Sequence, residues 1–179
     1  MMRFIPKKIR SFLRDESGSV VTIPFVIWMP VFLAVIVAGM EVGALSIRHT
    51  QLERGLDLAV REVRLGTGEN MDHDTIKTMI CDNTTLLTDC QDMLRLEMIP
   101  LSLRDWTEPA RDADCYDSAE PVRPLRQFDP GQPNELMLLR ACYKYKPITP
   151  AGSVAAAMPK DADGYAAIVS FSAFVQEPY

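Results

Sequence analysis

The feature that most constrains this chain is a long uncharged stretch near its N-terminus. Residues 17–40 contain no charged side chain. About 20 apolar residues span the hydrocarbon core of a bilayer as a helix, and the 21 steps from Val20 to Glu41 correspond to about 32 Å. The stretch therefore predicts a transmembrane helix, assigned to residues 19–47. Glu41 is expected near the far interface, where a carboxylate is less unfavourable than at the bilayer centre.

The charges on the two sides of this stretch differ in sign. Residues 1–18 carry five cations and two anions, for a net charge of +3, whereas residues 48–179 carry 14 cations and 21 anions, for a net charge of −7. Because basic flanks stay on the cytoplasmic side, residues 1–18 are predicted to be a cytoplasmic leader and residues 48–179 an extracytoplasmic domain. With Glu41 the chain has a net charge of −5, which argues against a nucleic-acid partner.

A cleaved secretory signal peptide is the alternative interpretation of the same stretch. Signal peptides have an apolar region of 7–15 residues and end in a site of the A-x-A type. The apolar run here is nearly twice that length, and Gly43-Ala44-Leu45 is a poor cleavage site. The sequence therefore favours a retained anchor.

Four cysteines lie in the exported part, at Cys81, Cys90, Cys115 and Cys142. An even number in an exported domain predicts two disulfides, and four cysteines allow three pairings. We favour Cys81–Cys90 and Cys115–Cys142, because short loops close at the smallest entropic penalty. A zinc site is the competing hypothesis, but the sequence contains no C-x-x-C pair.

The helix is expected to continue beyond the membrane. An apolar stripe at helical spacing is formed by Leu45, Leu52, Leu56, Ala59 and Val63. We therefore predict one helix over about 20–65, ending at Gly66-Thr-Gly68. The stripe favours packing against a sheet, although a surface for a partner helix would have the same pattern.

The rest of the chain predicts a small mixed domain without internal repeats. The predicted elements are a short helix at 71–81, strands at 93–101, 135–147 and 165–176, an irregular loop at 105–134 held by Cys115, and a crossover rich in proline and alanine at 147–159. Asp72 or Asp74 is the expected N-cap of the short helix. The predicted fold class is α+β, with a long N-terminal transmembrane and amphipathic helix packed on a small antiparallel sheet.

Residues that could carry catalysis are few. The two histidines, His49 and His73, are predicted to be exposed, and no nucleophile motif of the G-x-S-x-G type occurs. The sequence therefore predicts no catalytic residues and no cofactor, and a membrane-tethered enzyme is the least favoured hypothesis.

Two acidic segments could imitate cation sites. Residues 161–164 resemble the start of a calcium loop, but Ser172 stands where that loop needs its bidentate glutamate, so a turn before the last strand is predicted. Asp112, Asp114 and Asp117 are predicted to form a solvated acidic loop. No metal site is therefore predicted.

The most informative local feature is the junction Arg14-Asp-Glu-Ser-Gly18-Ser19-Val20, where a charged segment ends in glycine directly before the apolar run. Glycine gives a protease unhindered access to the backbone, and its position would let an intramembrane peptidase reach it. A flexible hinge between the leader and the anchor is the alternative interpretation.

The segment Phe12-Leu-Arg-Asp-Glu-Ser-Gly-Ser-Val-Val-Thr-Ile-Pro-Phe-Val-Ile-Trp-Met-Pro-Val-Phe resembles the start of the TadE/TadF-like (TadG-related) proteins, pseudopilins of the tight-adherence (Tad) pilus system. The ending Phe171-Ser-Ala-Phe-Val-Gln-Glu-Pro-Tyr179 resembles their C-terminus. The resemblance covers about residues 10–47 and the last strand, while the middle matches only in layout.

The resemblance implies a pilin-like fold and cleavage by a prepilin peptidase after Gly18, leaving Ser19 as the new N-terminus. It implies a minor component of a pilus apparatus that is held in the inner membrane. The extracytoplasmic domain, residues 48–179 and here called the head, would lie in the periplasm and act through contacts with other pilus or secretion proteins. The family's glutamate five residues after the cut is replaced here by Ile23. Pro30 fits the family's proline in the apolar helix.

Lateral contacts in the membrane are predicted on physical grounds as well. Ala34, Ala38, Gly39 and Gly43 are small residues that allow close approach of helices, and Gly39-x-x-x-Gly43 matches the dimerisation motif. They predict homo-oligomers or hetero-oligomers formed through the transmembrane helix. A single-pass exported binding module unrelated to pili is the alternative hypothesis for the whole chain, and it needs no cleavage at Gly18.

Overall fold

The computed structural model describes residues 11, 14, 19–65, 72–117, 124–149 and 152–177. In chain order the elements are α1 (Ser19–Leu65), α2 (His73–Asp82), α3 (Cys90–Met93), β1 (Leu94–Leu101), β2 (Leu136–Tyr145), α4 (Ser153–Ala157) and β3 (Ala166–Val175). The protein is an α+β structure with a long apolar N-terminal helix and a small open three-stranded antiparallel sheet. Most of the predicted leader, the predicted cleavage residue Gly18 and the predicted helix stop at 66–68 lie outside the described residues.

Helix α1 is continuous over 47 residues and contains both Pro24 and Pro30. At 1.5 Å per residue it is about 70 Å long. Its second half carries the predicted apolar stripe, and the four side chains at its centre are at most 2% exposed: Leu52, Leu56, Ala59 and Val63. The predictions of one long helix and of a stripe packed in the core are confirmed.

The sheet has the order β1-β2-β3, with both neighbouring pairs antiparallel. Side chains of alternate residues point to one face, which is buried against α1 and α2. On β1 these are the predicted inward residues Leu94, Leu96 and Met98, each 0% exposed. One hydrophobic core thus lies between the helices and this face of the sheet.

Helix α1 runs in the same direction as β3. Near the start of β3, the Arg48 guanidinium lies 4.8 Å from the ring centroid of Tyr145, which pairs with Ala166. Just after the end of β3, the Gln176 side-chain amide donates a hydrogen bond to the Val63 carbonyl (3.3 Å). The end of the sheet where β2 finishes and β3 begins is therefore the end nearest the apolar N-terminal half of α1.

Helix α2 begins where the sequence predicts a cap. The Asp72 carboxylate accepts a hydrogen bond from the Thr75 backbone N–H at 2.8 Å. Hydrogen bonding to the Thr75 side chain, and then to its backbone, lowers the pKa of Asp72 below its usual value. The helix packs closely on α1 at Gly55, where an added Cβ would lie 2.7 Å from the Thr84 methyl carbon. A glycine is therefore required for this approach of the two helices.

Two disulfides fasten the irregular parts to these elements. Cys81 is bonded to Cys90 and Cys115 to Cys142, which is the pairing that loop length favours. The second bond attaches the irregular loop predicted at 105–134 to the central strand.

The same loop also covers the edge of β1, because the Met98 backbone bonds to Gln127 and Asp129. The connection between β2 and β3 was predicted to be a crossover, and that prediction is wrong. The two strands are adjacent and antiparallel, so the connection is the long return of a hairpin.

Candidate functional site: an exposed apolar helix and its junction with the head

The first half of α1 is not packed in the core. All the large apolar side chains between Val21 and Met40 are exposed, from 37% for Ile36 to 76% for Val21. A continuous apolar surface of this size indicates contact with lipid or protein. In the described part of the chain, α1 is the one helix that is long and apolar enough to cross a membrane, and the two disulfides indicate an oxidising compartment.

The small residues of α1 divide into two groups. A Cβ built on Gly39 or Gly43 would meet no atom within 4 Å, so the head leaves both positions free for another helix. Ala34 and Ala38 instead line a cleft with the connection that follows β2. The predicted packing surface of α1 is therefore partly covered by the chain itself.

Glu41 marks the point where α1 meets the head, and it is 3% exposed. Its carboxylate accepts hydrogen bonds from the backbone N–H groups of Ile148 and Thr149, both at 3.0 Å, and from the Thr149 hydroxyl at 2.9 Å. The Gly152 N–H donates a hydrogen bond to the Thr149 carbonyl at 2.8 Å, and a Cβ at position 152 would clash with the Thr149 hydroxyl oxygen.

Glu41 was expected near a membrane interface, and its contact with Ile148 and Thr149 was not predicted. A signal was available, because Glu41 lies four residues before Leu45 and so falls on the same stripe as Leu52 and Leu56.

A belt of cationic and aromatic side chains lies beside this junction. In addition to the stacking of Arg48 on Tyr145, the Lys146 ammonium lies 4.7 Å from the centroid of the Tyr165 ring. Burial raises the pKa of the Tyr145 hydroxyl, and the nearby Arg48 only partly offsets this. The tyrosine is therefore neutral at physiological pH.

A buried cluster of charged side chains lies on the other face of the sheet. Glu97 and Arg140 are directly opposite each other on β1 and β2 and form a salt bridge in which both are at most 9% exposed. A second carboxylate, Asp114, accepts a hydrogen bond from the Arg126 backbone N–H at 3.0 Å and donates its own backbone N–H to Glu97 at 3.2 Å. The cluster thus holds the irregular loop on the sheet.

Two positions differ from the prediction. Asp114 was expected in a solvated acidic loop but is 2% exposed. Its carboxylate forms an ion pair with Arg95 at 3.6 Å and accepts a hydrogen bond from the Arg126 backbone N–H. His73 was expected to be exposed, but its side chain is 14% exposed, since its ring packs edge-on against Phe128 at 5.5 Å. His49 remains 43% exposed beside Glu53.

The segment that imitates a calcium loop forms a turn, as predicted. One oxygen of Asp161 accepts backbone N–H bonds from Asp163 and Tyr165, and the other binds the Lys144 ammonium at 2.7 Å. Burial alone would raise the pKa of Asp161, but these hydrogen bonds outweigh it and lower the pKa. Within the described ranges, histidine, cysteine and acidic side chains form no group of three that could hold a metal ion.

Comparisons with protein-family models, with curated proteins and with solved structures found no match to this chain. The resemblance to TadE/TadF-like proteins therefore stays a prediction, and the functional argument depends on the geometry of α1 and the head.

Proposed function

We propose that this chain is a minor pseudopilin-like component of a Tad-type pilus apparatus, which acts through protein–protein contacts. The observation that carries the proposal is the division of α1 at Glu41. On one side the large apolar side chains of the helix, from Val21 to Met40, are all exposed, and on the other side the helix forms part of the core of a disulfide-bonded head.

The architecture supports an anchored interaction protein. A helix that is apolar all round requires lipid or other helices as its surroundings, and an amphipathic continuation requires a globular partner, which the sheet supplies. Such a rod-and-head arrangement is what the pilin-like fold implied by the resemblance would have. In the proposed orientation the head lies in the periplasm and α1 crosses the inner membrane once.

The free surface of α1 supports lateral assembly. Gly39 and Gly43 have open space beside them, so a neighbouring helix could approach closely there and gain van der Waals contact. The position that is a glutamate in the family is Ile23 here, and its side chain is 58% exposed. Contacts at this level of the helix would therefore be apolar rather than ionic.

Processing by a prepilin peptidase provides the test. The full chain would be expressed in membranes with an active peptidase, and its intact mass and N-terminal sequence would be determined. We expect loss of residues 1–18 and a mature chain that begins at Ser19, the first residue of α1. An inactive peptidase and the variant Gly18→Leu, whose side chain blocks access to the backbone, are the controls and should leave the chain uncut.

An uncut chain in the presence of active peptidase would contradict the proposal. If that chain were nevertheless integral to the membrane, the alternative of a single-pass exported binding module would replace it. An alkaline phosphatase fused after residue 179 should be active, since that enzyme needs an oxidising compartment, and an inactive fusion would contradict the proposed orientation.

A further inference from the structure

The connection between β2 and β3 has an unusual composition for a loop on an acidic head. Residues 147–159, here called the foot, contain no charged side chain and have lysine on both sides, at Lys146 and Lys160. The structure describes residues 147–149 and 152–159 of the foot. Loops on protein surfaces are usually polar, so this composition suggests contact with something apolar.

The foot lies beside the exposed apolar half of α1. Its Ile148 and Thr149 are held by Glu41, and its Val154 lines a cleft together with Ala34 and other residues of α1. Seven residues separate Ala34 from Glu41, which corresponds to about 10 Å along the helix. The foot therefore extends from Glu41 toward the N-terminus of α1. It lies alongside residues of α1 that would be in lipid if α1 is the membrane anchor.

Among the described residues of the foot, the exposed side chains are apolar. Ile148 is 60% exposed, the same fraction as Phe25 in the free half of α1, and Ala156 and Ala157 are exposed as well. Part of the backbone of the foot is bonded internally, because the N–H groups of Gly152, Ala156 and Met158 donate to carbonyls within it. Internal bonding of this kind is what a segment needs at the edge of the hydrocarbon region.

Cationic and aromatic side chains border the foot on the side of the head. Lys146 directly precedes the foot in the chain, and its ammonium lies over the Tyr165 ring. Arg48 lies about two turns after Glu41 on α1, and its guanidinium lies over the Tyr145 ring. Tyrosine, lysine and arginine are typical of the interface between membrane and water. Basic side chains close to an anionic bilayer surface are attracted to it.

We propose that the foot is a second membrane-binding element, which inserts into the boundary between headgroups and acyl chains on the side where the head lies. Its occupant is a phospholipid bilayer that contains anionic lipids, with Lys146 and Lys160 at the phosphates. Apolar faces of interfacial segments penetrate about 5–10 Å, which matches the reach of the foot along α1. The proposal depends on α1 as a membrane anchor but not on pilus assembly.

Depth-dependent quenching of tryptophan fluorescence tests the proposal on the full chain in vesicles. The vesicles contain phosphatidylcholine and phosphatidylglycerol, with the phosphatidylcholine brominated either near the headgroup or near the chain ends. The test variant is Ile148→Trp in a background in which Trp28 and Trp106 are replaced by phenylalanine. We expect about twofold quenching by the shallow bromines and little by the deep ones, given the shallow penetration of interfacial segments.

The controls are two variants that each keep one native tryptophan, Trp28 or Trp106, and have phenylalanine in place of the other. Trp28 lies in the free half of α1 and should be quenched by deep bromines. Trp106 is 59% exposed and follows β1 at the end of the sheet where Gln176 contacts Val63. Val63 lies about 33 Å along α1 from Glu41. It should not be quenched at any depth.

The outcomes separate this inference from the proposed function. Quenching of Trp28 without quenching of the tryptophan at position 148 would overturn the inference and leave the anchor intact, whereas no quenching of Trp28 would contradict the anchor itself. Ala157→Trp repeats the test at a second exposed position, in case the first variant folds poorly. Equal quenching in vesicles with and without phosphatidylglycerol would overturn the role of Lys146 and Lys160.

Discussion

Replacing Glu41 by glutamine is expected to release the foot from α1 without unfolding the head. The wild-type carboxylate accepts two backbone N–H bonds at 3.0 Å and one hydroxyl bond at 2.9 Å, and it is 3% exposed. Glutamine has nearly the same shape but keeps only one oxygen, so its NH2 group must face one of these donors. The core between α1 and the sheet is not altered by this change.

The size of the effect follows from the hydrogen bonds that are lost. A hydrogen bond to a charged group contributes about 1.5–3 kcal/mol, and at least one of the backbone N–H groups of Ile148 and Thr149 loses its acceptor, because it faces the NH2 group of the glutamine. The free energy of local opening should fall by that amount. Since each 1.4 kcal/mol corresponds to a factor of ten, protection of the two amide protons should fall about 10- to 150-fold.

Native-state hydrogen exchange of the full chain in detergent micelles or nanodiscs measures the protection of the Ile148 and Thr149 amide protons. Amide protons of β2 should keep their protection in Glu41→Gln, because the sheet is intact. Glu53→Gln is the matched control, since it makes the same change on α1 at a side chain that is 52% exposed. Protection of Ile148 and Thr149 within twofold of wild type in Glu41→Gln would refute the reasoning, as would an equal loss in the control.

Three further predictions concern the stability of the head, measured by chemical or thermal denaturation in detergent. Gly55→Ala should lower the free energy of unfolding, because the overpacking penalty of about 1–3 kcal/mol exceeds the gain in helix propensity of about 1 kcal/mol. Gly43→Ala should not lower it, because the space beside Gly43 is open. Glu97→Ala should lower it by about 3–5 kcal/mol, because Arg140 is left buried without its carboxylate, while Glu97→Leu with Arg140→Met should recover much of the loss. Because the pKa of Asp161 is lowered when the protein folds, its contribution is present above the unfolded pKa near 3.8 and is lost as the pH falls through the folded value; Asp161→Asn should therefore weaken the loss of stability below about pH 4.

The parts of the fold that were predicted correctly depend on local patterns. The stripe through Leu52 and Leu56 repeats at helical spacing, and the alternation of Leu94, Leu96 and Met98 repeats at strand spacing. Each of these periods identifies both the element and the side that becomes buried. Local sequence is sufficient in such cases because one face of the element supplies most of the core.

The parts that were missed depend on residues far apart in the chain. Glu41 contacts the backbone 107 residues later, and Arg140 bonds to a carboxylate 43 residues earlier. No local period indicates which loop returns to a given carboxylate, or which charges become opposite neighbours when two strands pair. Asp114 illustrates the result, because an aspartate in an irregular loop has the sequence context of a solvated residue until its partners are known.

Because α1 is one continuous helix, a small tilt at its N-terminal half produces a large displacement of the head. Spanning helices tilt by about 20° on average, and a straight rod of about 70 Å tilted by that angle shifts its far end sideways by roughly 24 Å. Because the foot is attached to one side of this helix at Glu41, in the proposed membrane arrangement a tilt toward that side would move the foot into the lipid and a tilt away would move it out. Insertion of the foot, as proposed, would therefore favour a tilt of the head toward the side of the helix on which the foot lies.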